Sequence, residues 1–89
     1  MPEISRFYGI VVAMFFNEQQ HGGKPHFHAT YAGHDVSIGI ESLDILAGTF
    51  PTSGLRLLKE WANVHREELM DNWERARRGD RLARIEPLP

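Results

Sequence analysis

Residues 52 to 78 constrain the fold more than any other part of the chain. Pro51-Thr52-Ser53 opens a stretch in which Leu55, Leu58, Ala62, Leu69, Trp73 and Ala76 recur at helical spacing, with Trp61 at the edge of the row. Together they fill a stripe of roughly 120° on a helix of period 3.6. Thr52 or Ser53 reads as the N-cap, and Gly79 as the left-handed residue that ends the helix. Arg56, Glu60, Asn63, Glu67 and Glu74 form the opposite, solvated face. Asp71 with Arg75 and Glu74 with Arg78 read as i,i+4 ion pairs, worth a few tenths of a kcal/mol each. His65 falls inside the apolar stripe, where a hydrogen-bonded core histidine is expected.

Such a helix must bury its stripe against a second layer. It is also long for its chain. About 26 residues at a rise of 1.5 Å span roughly 39 Å, whereas a compact domain of this size is about 31 Å across. The helix therefore overhangs, breaks near Asn63–His65, or docks on a partner.

The residues before it supply that layer as strands. Tyr8 to Asn17 (YGIVVAMFFN) is apolar on both alternating faces and reads as a central strand. Gly9 reads as a bend near its start, and Ser5 to Phe7 as an extension or a short preceding strand. Glu18 to Pro25 carries Gly22-Gly23 and Pro25 and reads as a loop. His26 to Tyr31 alternates strictly, with Phe27, Ala29 and Tyr31 on one face and His26, His28 and Thr30 on the other. Ala32-Gly33-His34 reads as a tight turn into residues 35 to 41, where Val36, Ile38 and Ile40 share a face. Residues 43 to 50 add a further short strand or hairpin, and Leu82 to Ile85 an edge strand or tail.

The resulting expectation is one α+β domain spanning residues 1–89. A small antiparallel sheet of about four or five strands occupies residues 4–50. It packs against a long C-terminal amphipathic helix at about 52–78, continuous or broken in two, with a tail or short strand at 80–89. Eighty-nine residues allow one core and no more. The chain has no cysteine, so disulfides, thiolate metal sites and cysteine nucleophiles are excluded. The longest apolar run, Ile10 to Phe16, is too short to span a bilayer, and no signal peptide is recognisable. A cytoplasmic protein is expected.

The formal net charge is −2, unlike the basic coat of a general nucleic-acid binder. The charge is nonetheless polarised. Glu60 to Glu74 holds five acids against Arg66; Arg75, Arg77, Arg78, Arg81 and Arg84 then face only Asp80 and Glu86. Helix electrostatics account for cations in a last turn, and the same arginines are the candidate contact for a partner or a nucleic acid.

Chemistry, if any, would rest on His26 and His28. At i and i+2 on a strand, both imidazoles leave one face, which is how a strand offers two ligands to a divalent metal. A third ligand could be His34, His21 or Glu41, and no spacing selects one. The bland alternative is a polar strand face, and no cofactor is the default expectation. The same two rings could also act as base and acid in metal-independent RNA cleavage, with Arg6 or Lys24 stabilising phosphate charge. Gly22-Gly23-Lys24 lacks the strand–loop–helix setting of a phosphate-binding loop.

Four segments, ISRFYGI (4–10), PHFHATY (25–31), EWANVHREELMDNWERARRG (60–79) and IEPL (85–88), resemble the DUF4160 family of bacterial domains of unknown function. Relatives often carry a shorter loop with two prolines where this chain has Gly23-Lys24 before a single Pro25. The resemblance implies a small bacterial protein, often encoded beside another small protein in arrangements like toxin–antitoxin pairs. It brings no catalytic residues. The leading expectation is thus a binding module that partners a second small protein, touches no membrane, and forms homo-oligomers or contacts nucleic acid as further options. A ribonuclease-like enzyme and a metal-binding domain are the alternatives.

Overall fold

The computed structural model describes residues 2–15 and 23–89. Five strands, β1 (Glu3–Phe7), β2 (Ile10–Ala13), β3 (His26–Tyr31), β4 (His34–Gly39) and β5 (Ile45–Gly48), form one sheet in the order β1-β2-β3-β4-β5. Every neighbouring pair is antiparallel, so the sheet is a simple meander. Two helices follow, α1 (Thr52–Val64) and α2 (Arg66–Arg78). The α+β expectation holds, with the long helix broken in two.

The apolar run after Ser5 is not one strand. Tyr8 (φ 50°) and Gly9 (φ 82°) form a two-residue turn between β1 and β2, both in the left-handed region that type I′ hairpin turns require. Ala32 (φ 48°) and Gly33 (φ 82°) repeat the device between β3 and β4. His34 therefore starts β4, paired with Tyr31, rather than closing the turn. The part of the expected Glu18–Pro25 loop at residues 18–22 lies outside the described residues.

The core lies between one sheet face and the helices. Phe27, Val36, Ile38 and Ile40 are buried as their alternation requires, along with Ile10 and Val12 from β2. Trp61 is fully buried at the centre, with ring centroids 5.4 Å from Phe7 and 6.1 Å from Phe27. Leu58, Ala62, Leu69, Trp73 and Ala76 are buried and Leu55 half-buried, so the stripe was drawn on the correct side.

The helix breaks at His65 (φ −110°, ψ 26°). Its backbone N–H is shared between the Trp61 and Ala62 carbonyls. Two 13-residue pieces of about 20 Å each fit a molecule 33 Å in its longest dimension, where the unbroken helix would not. The Arg66 guanidinium donates to the Ile40 carbonyl at 3.2 Å and to the Asn63 side chain, tying the start of α2 to the end of β4. His65 is half-buried rather than a core residue: its ring packs on Trp61 at 5.5 Å and its Nδ1–H donates to Glu68.

The helix ends follow the expectation at one terminus only. Gly79 is left-handed (φ 77°), with N–H bonds from Gly79 to Ala76 and from Asp80 to Arg75 completing a Schellman motif. At the other end Pro51 occupies the cap position, and neither Thr52 nor Ser53 caps the helix with its side chain. Proline's fixed φ suits the approach to a first turn without a capping hydroxyl. Asp71–Arg75 forms at 2.8 Å, but Glu74 pairs with Arg77, not Arg78, whose partner is Asp80.

The C-terminal residues 80–89 form no strand. They run back along β1, where the Ile85 N–H donates to the Ile4 carbonyl at 2.8 Å. There Glu3 accepts from both Arg6 (2.7 Å) and Arg84 (3.0 Å), and these hydrogen bonds hold its carboxyl down at about 2, from an ordinary 4.5. A carboxyl depressed by folding stabilises the fold above its unfolded value and loses that contribution as pH falls through the folded one. Glu3→Gln should therefore melt below wild type at neutral pH, with the gap closing between about pH 4.5 and pH 2. The effect is small, because the pair is solvent-screened, and melting curves across that range would show it.

Candidate functional site

Partners across a ladder share a face of the sheet. One row of the face turned away from α1 is Arg6, Val11, Thr30 and Asp35; the next is Glu3, Ala13, His28, Ser37 and Ala47. Small residues, Ala13 and Ala47, stand between larger ones, and the result is a concavity of about 190 Å³. His28, Ser37 and Thr30 line it together with Val11, Asp35 and the half-buried ring of Phe15. Its surface is mainly apolar with a few convergent polar groups, the usual make-up of a binding site.

His28 sits in that concavity. Its Nδ1 is 3.3 Å from Ser37 Oγ, and its ring meets Phe15 edge-on at 4.6 Å. His26 does not share its exposure. The two rings are adjacent, 5.2 Å apart, as the i,i+2 spacing implies. Yet His26 is 0 % exposed, its Nδ1–H donating to the Lys24 carbonyl at 2.7 Å and its ring tilted on Trp73 at 5.0 Å. Trp73 of α2 packs against the first histidine, and the second is half-buried on the sheet face. The expected pair is thus one buried ring and one half-buried ring.

The other candidates are dispersed. Arg6 is exposed on β1 and held by Glu3. Lys24 meets His26 through its backbone carbonyl. His34 and Glu41 are both exposed, His34 opening β4 and Glu41 beyond its end. Among the described residues no three His, Cys, Asp or Glu side chains gather as a metal site would require, and His21 lies outside those residues.

The C-terminal arginines are mostly engaged with acids. Arg75 holds Asp71, Arg77 holds Glu74, Arg78 holds Asp80, and Arg84 holds Glu3. Arg81 is exposed. Nor is the Trp73 end of the helix an available surface, since Trp73 is 4 % exposed and packs on His26.

Two structural residues escape the sequence pattern. Asn72 is buried and grips the C-terminal segment, its Nδ2 donating to the Ala83 carbonyl and its Oδ1 accepting from the Ala83 N–H, both at 2.8 Å. Ile85 is buried in the core. The signal for Asn72 was its position between Leu69 and Ala76, where a polar residue inside an apolar stripe calls for a buried partner.

The sequence model described as "Domain of unknown function (DUF4160)" matches residues 9–74. No curated protein and no solved structure matches the chain. Among the described residues no helix is long and apolar enough to cross a membrane.

Proposed function

The chain belongs to this family of domains of unknown function, and from its own geometry we propose that it is a non-catalytic interaction module. Its contact surface is the open face of the sheet around His28, and its partner is the second small protein of a toxin–antitoxin-like pair. The observation that carries this reading is the concavity bordered by β2, β3, β4 and β5, which has apolar walls and polar groups at His28, Ser37 and Thr30. An extended sheet face with a shallow depression suits a protein side chain better than a reaction, which needs several groups converging on one atom.

The alternatives lose support on specific residues. Acid–base cleavage of RNA would run on His28 alone, because burial beneath Trp73 removes His26 from contact with a substrate. Phosphate binding by the arginine cluster would first have to displace carboxylates from four of its five members. Of the expected ligands among the described residues, a divalent metal would find only His28 in the concavity.

Ala47→Arg tests the reading. Ala47 is exposed on β5 and lines the concavity, so the longer side chain fills it at a cost to stability of about 0.5 kcal/mol or less. Affinity for the protein encoded beside this chain, measured by titration calorimetry, should fall by at least about a hundredfold, or roughly 2.7 kcal/mol. Glu67→Ala on the exposed face of α2 should leave it unchanged. Equal binding by wild type and Ala47→Arg, or no complex with wild type, would refute the proposal.

A further inference from the structure

The C-terminal segment lies in its groove with a period of three. Leu82, Ile85 and Leu88 turn onto the core, while Ala83, Arg84, Glu86 and Pro87 remain exposed. Three residues per turn, with no internal backbone hydrogen bonds, is the signature of polyproline II conformation. Such a segment can bond only to its surroundings, and the groove supplies those bonds. Asn72 takes both the N–H and the carbonyl of Ala83. The Trp61 indole N–H donates to the Glu86 carbonyl at 2.8 Å. The Ile4 carbonyl on the outer edge of β1 accepts from the Ile85 N–H, and the Tyr8 hydroxyl donates to the Pro89 carbonyl. Five backbone groups of the segment are thus read by β1, the adjoining turn, α1 and α2, and its side chains matter at every third position.

These are the parts of a peptide-recognition site: fixed donors and acceptors for the backbone of an extended ligand, and sockets for a repeating apolar side chain. We propose that this groove is a recognition site for extended segments with an apolar residue at every third position. The chain's own C-terminal segment fills it in cis, and the same segment of a second copy can fill it in trans. The occupant follows from the page, since this segment already satisfies the groove's polar and apolar requirements together. A hinge for exchange is also present. Gly79 is left-handed and a Cβ there would meet nothing within 4 Å, and Asp80 and Arg81 are exposed. Tethered by so short a linker, the cis segment competes at an effective concentration on the order of millimolar, so trans filling appears when the cis segment is released.

The test uses the full chain and a fluorescein-labelled peptide of residues 80–89. Ile85→Asp releases the chain's own segment by placing a charge in its central socket. Polarisation should show the peptide binding this variant at least about tenfold more tightly than it binds wild type, whose groove is filled. Adding Asn72→Ala to Ile85→Asp should weaken peptide binding about tenfold, and a peptide carrying the Ile85→Asp change should not bind. Should Ile85→Asp alone fail to melt cooperatively, restoration of the transition by added wild-type peptide supports the proposal as trans filling. Failure of the peptide to restore it, a folded Ile85→Asp that does not bind the peptide, or equal binding by wild type overturns it.

Discussion

Trp61→Ala should lower the melting temperature by at least about 12 °C. The indole is fully buried, in ring contact with Phe7, Phe27 and His65, and its N–H holds the Glu86 carbonyl. Truncating a buried tryptophan costs about 3–5 kcal/mol, and each kcal/mol shifts the midpoint of a domain this size by about 4–8 °C. Since a small domain holds only about 5–15 kcal/mol in reserve, the variant sits near the edge of folding. Trp61→Phe separates the two contributions. It keeps most of the apolar volume but loses the bond to Glu86, so it should cost about 1 kcal/mol from the hydrogen bond plus the smaller packing loss. Calorimetry on the three proteins measures the series, and a shift under about 4 °C for Trp61→Ala would contradict the central position given to this residue.

The second large effect lies on the sheet. Gly48 closes β5 with φ 84°, and a Cβ there would lie 2.1 Å from the Asp35 carbonyl oxygen and 3.1 Å from Val36 Cα. Both contacts are backbone, so neither can rotate away. Gly48→Ala must separate β5 from β4, and should cost at least about 3 kcal/mol: left-handed strain of about 1–2 kcal/mol plus lost strand pairing. Gly33→Ala is the control, because Gly33 shares the positive φ but has open space around it. It should cost only the conformational term, about 1–2 kcal/mol. Urea titrations yield both values, and equal costs would show that the close approach of Gly48 to β4 is misplaced.

The elements most legible in the sequence were those with a clean period. Strict alternation located β3 and β4 and put Phe27, Val36, Ile38 and Ile40 on the buried face. The stripe from Leu55 to Ala76 located the helices, and the mismatch between helix length and domain size left an overhang, a break near Asn63–His65 or docking on a partner, of which the structure shows the break. Features that depend on contacts between distant elements were not legible. Tyr8-Gly9 reads as the bent start of a strand rather than a hairpin turn, because tyrosine at positive φ has no sequence signature like that of asparagine–glycine. Residues 82–88 read as an edge strand or tail, because the spacing of Leu82, Ile85 and Leu88 matches neither the helix period of 3.6 nor the strand period of 2 and so does not announce a course along β1.

The candidate site was half legible for the same reason. Alternation correctly placed His26 and His28 side by side on one sheet face. Alternation could not say that Trp73 of α2 would pack on His26, while His28 meets Phe15 and Ser37. The charge polarity of the helix was also real in sequence, yet its arginines found local carboxylates, Glu74 for Arg77 and Asp80 for Arg78. Adjacent opposite charges on a helix surface tend to satisfy each other before any partner arrives.

The central claim is that the helices and the C-terminal segment cover one face and one edge of the sheet, so that contact with a partner falls on the face around His28. Amide chemical-shift mapping of the labelled protein, titrated with its proposed partner, a small protein encoded beside it, tests this most directly. The account predicts that the largest shifts fall at Ala13, His28, Thr30, Ser37 and Ala47, and that Glu67, Asp71 and Arg77 on the outer side of α2 stay in place. Shifts concentrated on α2 and the C-terminal arginines, with the sheet amides unmoved, would contradict it.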